Sequence, residues 1–458
     1  METNFTDAQR KDPAIRQSEA ILRSCVHYGF CTNTCPTYVL TRDENESPRG
    51  RIDLIREMLE SGAAPDEGTV RHLDNCLSCL SCMTTCAAKV DYHHLIDNAR
   101  VHIERTYRRP LMDRLFRQFV ARVLPYPRRI SLALRVSPLG RFVRGFDRRL
   151  DAMMAMRPKK LEARPDLSRN RRVYPASGAA SHRVVLLTGC VQRVVAEHLN
   201  RKAISLLTRH GVEVVVLPMA DCCGALTLHM GYQQPALANA RTLALAIADE
   251  HRIEPLDAIV ITASGCGTTL KDYAHILAGE TDAVAEAGRL VGRLSRDITE
   301  FLLDKIDGSA RMELAVEVAY HDACSLQHGQ RVVTQPRDLL RRLGFGVRDV
   351  PERHFCCGSA GTYNILNPGK AEELGRRKAG NIDATGAMVV AAGNLGCMTQ
   401  IGLYSALPVV HTLELLDWAT GGDRPEALSE LDLQPRDDDV APDASAGNAP
   451  PNETDTFW

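Results

Sequence analysis

Residues 76–86 read CLSCLSCMTTC, and this stretch decides the fold of the N-terminal part of the chain. It holds Cys76, Cys79, Cys82 and Cys86 in the spacing Cys-x2-Cys-x2-Cys-x3-Cys. This spacing is typical of bacterial proteins with two iron–sulfur clusters, in which the fourth cysteine binds the other cluster. A zinc ribbon is the alternative, but three cysteines at intervals of three residues are poor spacing for zinc. The stretch therefore predicts a small, mostly helical domain built around two clusters.

An earlier group, CVHYGFCTNTCP at residues 25–36, repeats this signature with one change. Cys25, Cys31 and Cys35 are in place, but Tyr28 stands where the second cysteine is expected. A phenolate can bind iron, yet a phenol with an unperturbed pKa of about 10 is mostly protonated at neutral pH. The alternative is that Tyr28 only packs against the neighbouring loop.

The crossing of ligands between the two groups predicts two different clusters. The ligands of one [4Fe-4S] cluster are then Cys35, Cys76, Cys79 and Cys82. The second cluster is left with Cys25, Cys31, Cys86 and position 28. We expect a [3Fe-4S] cluster there, because it needs only three thiolates. The next alternatives are a [4Fe-4S] cluster with Tyr28 or water on the odd iron, and the loss of the cluster.

Composition indicates a multidomain protein with metal or redox chemistry. The chain has 458 residues, a formal net charge of −1 and 15 cysteines. The length predicts two to four domains, and the charge predicts no nucleic-acid partner. The N-terminus shows no apolar signal segment and the chain no run of about 18 apolar residues, so a cytoplasmic protein is expected. An odd cysteine count without a secretion signal favours metal binding over disulfides.

Cysteines recur in the second half of the chain as an internal duplication. Each copy has a single cysteine, an adjacent pair followed by glycine, and a last cysteine roughly forty residues further on. They are Cys190, Cys222, Cys223 and Cys266 in the first copy and Cys324, Cys356, Cys357 and Cys397 in the second. The first three recur 134 positions later, which chance hardly explains. Gly224 and Gly358 after the pairs suit a tight loop around a bulky cofactor, because glycine has no Cβ.

Both copies have the pattern of an α/β unit with a parallel sheet. Predicted strands are VVLLT (184–188), VEVVVLP (212–218) and AIVITAS (258–264) in the first copy, and LAVEVAYH (314–321), VRDV (347–350), AMVVAAG (387–393) and PVVHT (408–412) in the second. The cysteines follow the carboxyl ends of strands, where such sheets bind ligands. We therefore expect the four cysteines of each copy to converge on an iron–sulfur cluster or a tetrahedral Zn²⁺.

Two histidines and a glycine motif lie near these cysteines. His321 and His328 flank Cys324, and either is a candidate fifth ligand or proton relay. A histidine that only hydrogen-bonds to the backbone is the favoured interpretation. Gly265 and Gly267 follow a strand as in a dinucleotide loop, but position 270, the third glycine position, is leucine. We therefore predict no flavin or nicotinamide site on this chain.

The fold class expected is a multidomain α+β and α/β protein. The predicted regions are a ferredoxin-like two-cluster domain at 1–104, a basic helical linker at 105–180, two duplicated α/β domains at 181–310 and 311–420, and a disordered tail at 421–458. In the linker, RRPLMDRLFRQFVARVLPYPRRISLALRV (108–136) mixes arginine with apolar residues at helical spacing. It is interpreted either as a surface for an anionic membrane or an acidic subunit, or as a solvated linker helix.

These motifs, in this order, resemble the glycolate oxidase (glycolate dehydrogenase) iron–sulfur subunit, with its ferredoxin-type and CCG domains. The matching segments are CVHYGFCTNTCPTY, SPRGRIDLIREML, CLSCLSCMTTC, DCCGA, TASGCG and FCCGSAGTYN. The resemblance implies an electron-transfer subunit at the inner face of the cytoplasmic membrane. It implies FAD-binding partner subunits that oxidise glycolate to glyoxylate, quinone or another acceptor, and no catalytic residue here. Tyr28 departs from the family, which usually has cysteine there.

Other functions fit parts of the same pattern. One is an equivalent subunit for D-lactate, another 2-hydroxy acid or glycerol 3-phosphate, and another is a non-enzymatic scaffold stabilised by zinc or iron. The CCG domains also resemble those of heterodisulfide reductase and of the anaerobic glycerol-3-phosphate dehydrogenase C subunit. In the reductase a CCG unit ends in Cys-x-x-Cys, whereas Ala263 and Asn394 occupy the first place here. This difference argues against disulfide reduction.

Overall fold

The computed structural model describes residues 1–138, 145–158, 170–218, 222–309 and 311–435. The N-terminal part is the predicted small helical domain. Its helices are α1 (Pro13–Ser24), α2 (Phe30–Asn33), α3 (Pro36–Thr41), α4 (Pro48–Ser61), α5 (Glu67–Asp74), α6 (Ser81–Thr85) and α7 (Tyr92–Thr106). The side chains of Asp12, Ser47, Asp66 and Asp91 accept backbone N–H bonds at the starts of α1, α4, α5 and α7. These caps fix where each helix begins.

The basic region that follows is helical and is fastened by buried arginines. Its helices are α8 (Leu111–Val123), α9 (Pro127–Val136) and α10 (Arg148–Ala155). Arg109 pairs with Asp74 at 2.6 Å and with Glu104 at 2.5 Å. Arg117 donates to the carbonyl oxygen of Met230 at 3.1 Å. These contacts attach the region to the helical domain on one side and to the first CCG unit on the other.

The first CCG unit is built on a five-stranded sheet in the order β1-β3-β2-β4-β5. The strands are β1 (Arg172–Tyr174), β2 (His182–Leu187), β3 (Val212–Val216), β4 (Ala258–Ile261) and β5 (Ser295–Asp297). Its helices are α11 (Gln192–Val195), α12 (Glu197–Arg209), α13 (Ala225–Leu228), α14 (Gln233–Ile253), α15 (Ser264–Lys271), α16 (Tyr273–Ile276), α17 (Asp282–Leu294) and α18 (Ile298–Leu302). All strand pairs are parallel except β1 with β3. Parallel pairing is thus confirmed for the predicted strands, while β1 and β5 were not predicted.

The second CCG unit repeats this topology, which confirms the duplication. Its strands are β6 (Glu317–His321), β7 (Gly346–Asp349), β8 (Val389–Ala392) and β9 (Val409–His411), all parallel in the order β7-β6-β8-β9. Its α-helices are α19 (Gln335–Arg342), α20 (Tyr363–Leu366), α21 (Pro368–Asp383), α22 (Leu395–Ile401) and α23 (Thr412–Ala419). The first sheet without β1 has the same strand order.

The two units interlock across one hydrophobic core. Val184 and Leu186 of β2 pack in the same cluster as Val318 of β6 and Val389 of β8. Helices α12 and α18 of the first unit pack against α23 and α19 of the second unit, respectively. The ring of His411 donates from Nε2 to the carbonyl oxygen of Thr262 at 2.8 Å. The cysteine-bearing edges of the two sheets are therefore held in a fixed relation.

The predicted disordered tail is ordered in its first part. Leu428 is completely buried against the shared core. The backbone N–H of Ala315 donates to the carbonyl oxygen of Gln434 at 3.0 Å. The prediction of disorder is therefore wrong for 421–435, because spaced leucines in a polar segment fill a gap on the core. Outside the described residues lie 436–458 and, in the predicted linker, 139–144 and 159–169. Helices long and apolar enough to cross a bilayer do not occur among the residues described.

Candidate metal centres

Four thiols from two distant segments line one cavity in the helical domain. The cysteines that line it are Cys35, Cys76, Cys79 and Cys82. Between them, Ser78 and Leu80 adopt φ angles of 50° and 63°. These left-handed residues curl the backbone, so that three successive cysteines face the same space. The structure thus brings together the four residues that the crossing pattern predicted, and four clustered thiols are the donor set an iron–sulfur cluster requires.

A second group of three thiols lies next to this cavity. Burial, and then the nearby thiol groups of Cys25, Cys35 and Cys86, raise the pKa of Cys31 to about 11. Burial also raises the pKa of Cys25, with Cys86 contributing. Cys25, Cys31 and Cys86 are therefore neighbours, as the sequence predicted. Bound iron would hold these groups as thiolates despite the raised pKa values.

Tyr28 lies beside this group but faces outward. Its side chain is 70% exposed. The ring stacks on Phe30 with 6.1 Å between the centroids. The preceding His27 has a φ angle of 56° and the following Gly29 one of 83°. The backbone around position 28 thus directs the phenol toward solvent, where it packs on a neighbouring aromatic residue.

The four cysteines of each CCG copy converge at the carboxyl edge of their sheet. In the first copy, Cys190, Cys222, Cys223 and Cys266 lie close enough that each thiol shifts the pKa of its neighbour. In the second copy the same holds for Cys324, Cys356, Cys357 and Cys397. The Sγ atoms of Cys324 and Cys356 are 3.8 Å apart. The convergence expected from the strand pattern is therefore present in both copies.

The glycine after each cysteine pair makes a close contact that the sequence did not predict. Gly224 and Gly358 adopt φ angles of +88° and +89°, which L residues rarely adopt. A Cβ on Gly224 would lie 2.8 Å from the carbonyl oxygen of Ala236, and one on Gly358 would lie 2.6 Å from that of Ala371. Both glycines let the cysteine loop approach the following long helix, α14 or α21. From the sequence, we expect these glycines at positions where the loop approaches a cofactor, and the structure shows that they also approach the following helix.

His321 and His328 behave differently from one another. His328 follows the favoured interpretation, because its Nε2 lies 3.2 Å from the carbonyl oxygen of His354 and its Nδ1 lies 2.8 Å from Thr84 Oγ1. His321 is 1% exposed, and neither ring nitrogen has a hydrogen-bond partner among the described residues. One nitrogen lies within ligand-sharing distance of the sulfur atoms of Cys357 and Cys397. For His321 the expected backbone bond is thus absent, and its ring belongs to the second CCG site.

A buried arginine beside the four-thiol cavity was not predicted from the sequence. Arg51 is 1% exposed and lines the cavity. It pairs with Glu46 at 2.7 Å, and its Nη1 lies 3.8 Å from Cys35 Sγ. A positive charge next to a cluster stabilises its reduced form. In the sequence, this role could have been inferred only from the position of Arg51 on the apolar face of helix α4, beside the buried Ile52 and Ile55.

Three of the four cysteine groups, the four-thiol cavity and the two CCG sites, adjoin one another. Cys79 of the four-thiol cavity packs in one cluster with Cys324 and Cys356 of the second CCG site. A cavity of about 1230 Å³ is lined by cysteines from both CCG sites and by Cys76. Thiols separated by hundreds of residues thus form one continuous region of the molecule.

These sites define an iron–sulfur protein with one dicluster domain and two cysteine-rich domains. The 4Fe-4S dicluster domain family matches residues 24–90. The cysteine-rich domain family matches residues 184–271 and 318–402. Both families cover the cysteines that the structure gathers.

The chain belongs to the family of the glycolate oxidase iron–sulfur subunit. It is 35% identical over 423 residues to that subunit of Escherichia coli (strain K12), covering 92% of this chain and 99% of the relative. It is 30% identical over 434 residues to the probable glycolate oxidase iron–sulfur subunit of Bacillus subtilis (strain 168), covering 89% and 96%. Lactate utilization protein A of Oceanobacillus iheyensis is 28% identical over 245 residues, covering 51% of this chain and 96% of that protein.

A solved structure supports the fold. A hypothetical protein from Helicobacter pylori superposes with a TM-score of 0.53 at 10% identity, covering 93% of this chain and 74% of that one. At this identity the likeness concerns the arrangement of the elements.

Proposed function

We propose that this chain relays electrons from FAD-binding partner subunits, which oxidise glycolate to glyoxylate, toward quinone or another acceptor. The observation that carries the proposal is the packing of Cys79 against Cys324 and Cys356. It supports a ferredoxin-type site that lies beside a CCG site, as a relay within one polypeptide requires. Iron–sulfur clusters supply one-electron acceptors and donors when bound.

The ligand sets proposed follow the four groups of thiols. Cys35, Cys76, Cys79 and Cys82 would hold a [4Fe-4S] cluster, and Cys25, Cys31 and Cys86 a [3Fe-4S] cluster. The exposed Tyr28 supports a site in which three thiolates are the protein ligands. In the CCG units the ligands would be Cys190, Cys222, Cys223 and Cys266 in the first, and Cys324, Cys356, Cys357 and Cys397 with His321 in the second. We propose iron–sulfur clusters at both, with zinc as the alternative for four thiolates.

The residues around the sites would hold the clusters and set their potentials. Arg51 brings a cationic group to the four-thiol site, while Glu46 compensates it by an ion pair. Tyr92 donates its hydroxyl toward Cys76 Sγ at 3.7 Å. A hydrogen bond to a ligating sulfur raises the reduction potential, because it reduces the charge on that sulfur. Both contacts favour electron uptake at this site.

The test is reduction by glycolate with and without the flavoprotein. We expect glycolate to bleach the visible absorption of the anaerobically purified chain only when the FAD-binding subunits are present. Glycolate oxidation by the single chain alone would contradict the proposal, and so would a chain that stays oxidised in the active complex. D-Lactate serves as the competing substrate, because lactate utilization protein A matches about half of this chain.

We also propose that α8 and α9 dock the protein on an anionic membrane surface at the cytoplasmic face. These helices expose Leu111, Met112, Leu115, Phe119 and Leu132. Arg114, Arg122, Arg128, Arg129 and Arg135 are exposed between them. We call these ten residues the basic apolar face. Apolar side chains mixed with arginines are the pattern of helices that lie in a lipid headgroup layer.

Vesicle flotation tests this docking. We expect the protein to float with phosphatidylglycerol vesicles, less with neutral phosphatidylcholine vesicles, and the double variant Leu115→Glu/Phe119→Glu not to float. Ile253→Glu is the matched control, because Ile253 is 73% exposed but lies on α14, away from this face. Equal flotation of the double variant and the control would contradict membrane docking and leave an acidic subunit as the partner of this face.

A further inference from the structure

A cluster of histidines and carboxylates lies outside the cysteine sites, where the helical domain meets the first CCG unit. His93 and Asp97 lie one turn apart on α7, so they share one face of that helix. His229 follows α13 of the first CCG unit and reaches the same point. Each histidine faces a different oxygen of the Asp97 carboxylate: His93 Nε2 lies 3.4 Å from Oδ2, and His229 Nδ1 lies 3.4 Å from Oδ1. One ligand atom from each of the three lies within 4.8 Å of the others.

Both distances are long for hydrogen bonds and are compatible with ligands of one metal ion. Good N–H···O hydrogen bonds are about 2.7–3.2 Å long. Two ligands bound about 2.05 Å from one tetrahedral Zn²⁺ are about 3.4 Å apart. The side chains are also largely enclosed, with 12% of His93, 10% of Asp97 and 31% of His229 exposed. The larger opening beside His229 leaves room for water as a fourth ligand.

The neighbouring histidines have other partners. His94 uses both ring nitrogens, with Nδ1 at 2.5 Å from Asp91 and Nε2 at 3.1 Å from both carboxylate oxygens of Asp272. The ring of His275 lies tilted against His94 with 3.7 Å between the centroids. His93 also lies within ligand-sharing distance of His94 and Asp272, but both ring nitrogens of His94 already face carboxylates, so His94 is the weaker candidate ligand.

The closest cation does not occupy the trio. Arg100 Nη1 lies 3.8 Å from Asp97 Oδ1. Its guanidinium donates at shorter range, to Ser78 Oγ at 2.7 Å and to the carbonyl oxygen of Cys76 at 2.6 Å. Arg100 is thus held mainly by the cysteine loop, and its contact with Asp97 is the longest of the three.

We propose that His93, Asp97 and His229 bind one divalent transition-metal ion of the Zn²⁺ class, which ties α7 to the first CCG unit. Two imidazoles, one carboxylate and water are a donor set typical of zinc. The role is structural, because α7 follows the loop of Cys76–Cys86 and His229 follows the Cys222–Cys223 pair. The ion would fix the distance between those two loops.

Zinc-edge X-ray absorption on the anaerobically prepared, tag-free holoprotein tests the site directly. The protein is incubated with one equivalent of Zn²⁺ and exchanged into metal-free buffer. We expect about one zinc per chain, with nitrogen and oxygen neighbours at about 2.0–2.1 Å. A first shell containing sulfur at about 2.3 Å would overturn the proposal, because it would place the zinc at a CCG site. Failure to retain zinc would overturn it as well.

Variants then assign the ligands. His229→Ala and Asp97→Asn should each bind zinc at least about tenfold more weakly, with iron and labile sulfide unchanged. Asp272→Asn tests the alternative ligand group of His93, His94 and Asp272, and we expect it to leave zinc binding unchanged. Wild-type zinc binding by both ligand variants, or an equal loss in Asp272→Asn, would overturn the assignment. The absorption measurement on the unaltered protein decides the question if a variant does not fold.

Discussion

At the scale of single residues, we expect position 28 to determine the type of the second ferredoxin cluster. Tyr28→Cys supplies the missing thiol next to Cys25, Cys31 and Cys86. We expect the variant to convert a [3Fe-4S] cluster into a [4Fe-4S] cluster, because the fourth iron gains a ligand. Anaerobic EPR checks this: the oxidised wild type should show a signal near the free-spin position, and the oxidised variant should lose it.

Tyr28→Phe is the matched control for the phenol. It keeps the aromatic ring that stacks on Phe30 and removes only the hydroxyl. The EPR spectrum of this variant should equal that of the wild type. A changed spectrum would show that the hydroxyl binds iron, and the three-thiolate assignment would then be wrong.

His321 gives a second residue-scale prediction. His321→Ala should alter the EPR or visible spectrum of the second CCG centre, because its unpartnered ring nitrogen lies beside Cys357 and Cys397. His328→Ala is the control, since His328 already has partners in Thr84 and His354. Identical effects of the two substitutions would remove His321 from the ligand set.

Residues whose role depends on local spacing were predictable, and those whose role depends on packing were not. The cysteine groups converge as expected because loops of three-residue spacing and strand ends are local features. Tertiary packing alone explains why the ring nitrogens of His321 lack hydrogen-bond partners among the described residues. It also explains why Arg51 lies near Cys35. Gly224 shows the intermediate case, where the residue was noticed and its contact with α14 was not.

At the scale of elements, the helix after the last strand of each sheet begins with a capping box. Asp297 and Glu300 form it at α18, and His411 and Glu414 form it at α23. Both N-cap side chains are nearly inaccessible. The two units thus share the capping box, but its N-cap residue is an aspartate in the first unit and a histidine in the second. We therefore expect pH to change the stability of the protein in opposite directions through these two groups.

Burial lowers the pKa of His411 to about 4. The unfolded chain, with a histidine pKa of about 6.5, binds the proton first, so this contribution to stability is full above about pH 6.5 and is lost toward pH 4. The shift corresponds to about 3 kcal/mol. We expect His411→Asn to flatten the fall of the thermal midpoint between pH 6.5 and 5. An unchanged slope would contradict a buried neutral imidazole at this position.

Burial raises the pKa of Asp297 to about 6. The folded protein therefore holds the proton more tightly than the unfolded chain, whose aspartate pKa is about 3.9, and stability from this group is lost as the pH rises from about 4 to 6. The thermal midpoint of Asp297→Asn should therefore rise relative to that of the wild type as the pH increases from about 4 to 6. A relative loss with rising pH would show that the carboxylate is stabilised as an anion.

Long apolar runs predicted elements well, and short polar strands escaped detection. The strands with apolar runs, such as Val184–Leu187 of β2, were found because burial on both faces leaves no polar residues in them. Strands β1 (RVY) and β5 (SRD) have three residues each and no such pattern, so only pairing with a neighbouring strand defines them. The order of 421–435 likewise depends on a partner surface that the local composition does not reveal.

At the scale of the whole molecule, the interlocked CCG units and the helical domain form one continuous path of thiols. Cys79 packs against Cys324 and Cys356, and one cavity touches both CCG sites. The shared core between the sheets fixes these sites relative to one another. This arrangement supports the proposed transfer of electrons between the sites.

The most direct test of this account is iron and acid-labile sulfide analysis of the anaerobically purified, folded chain. We predict a brown protein with about seven or more irons and a similar amount of sulfide per chain, reducible by dithionite. A colourless, correctly folded protein that contains zinc alone, or no metal, would contradict the electron-relay function.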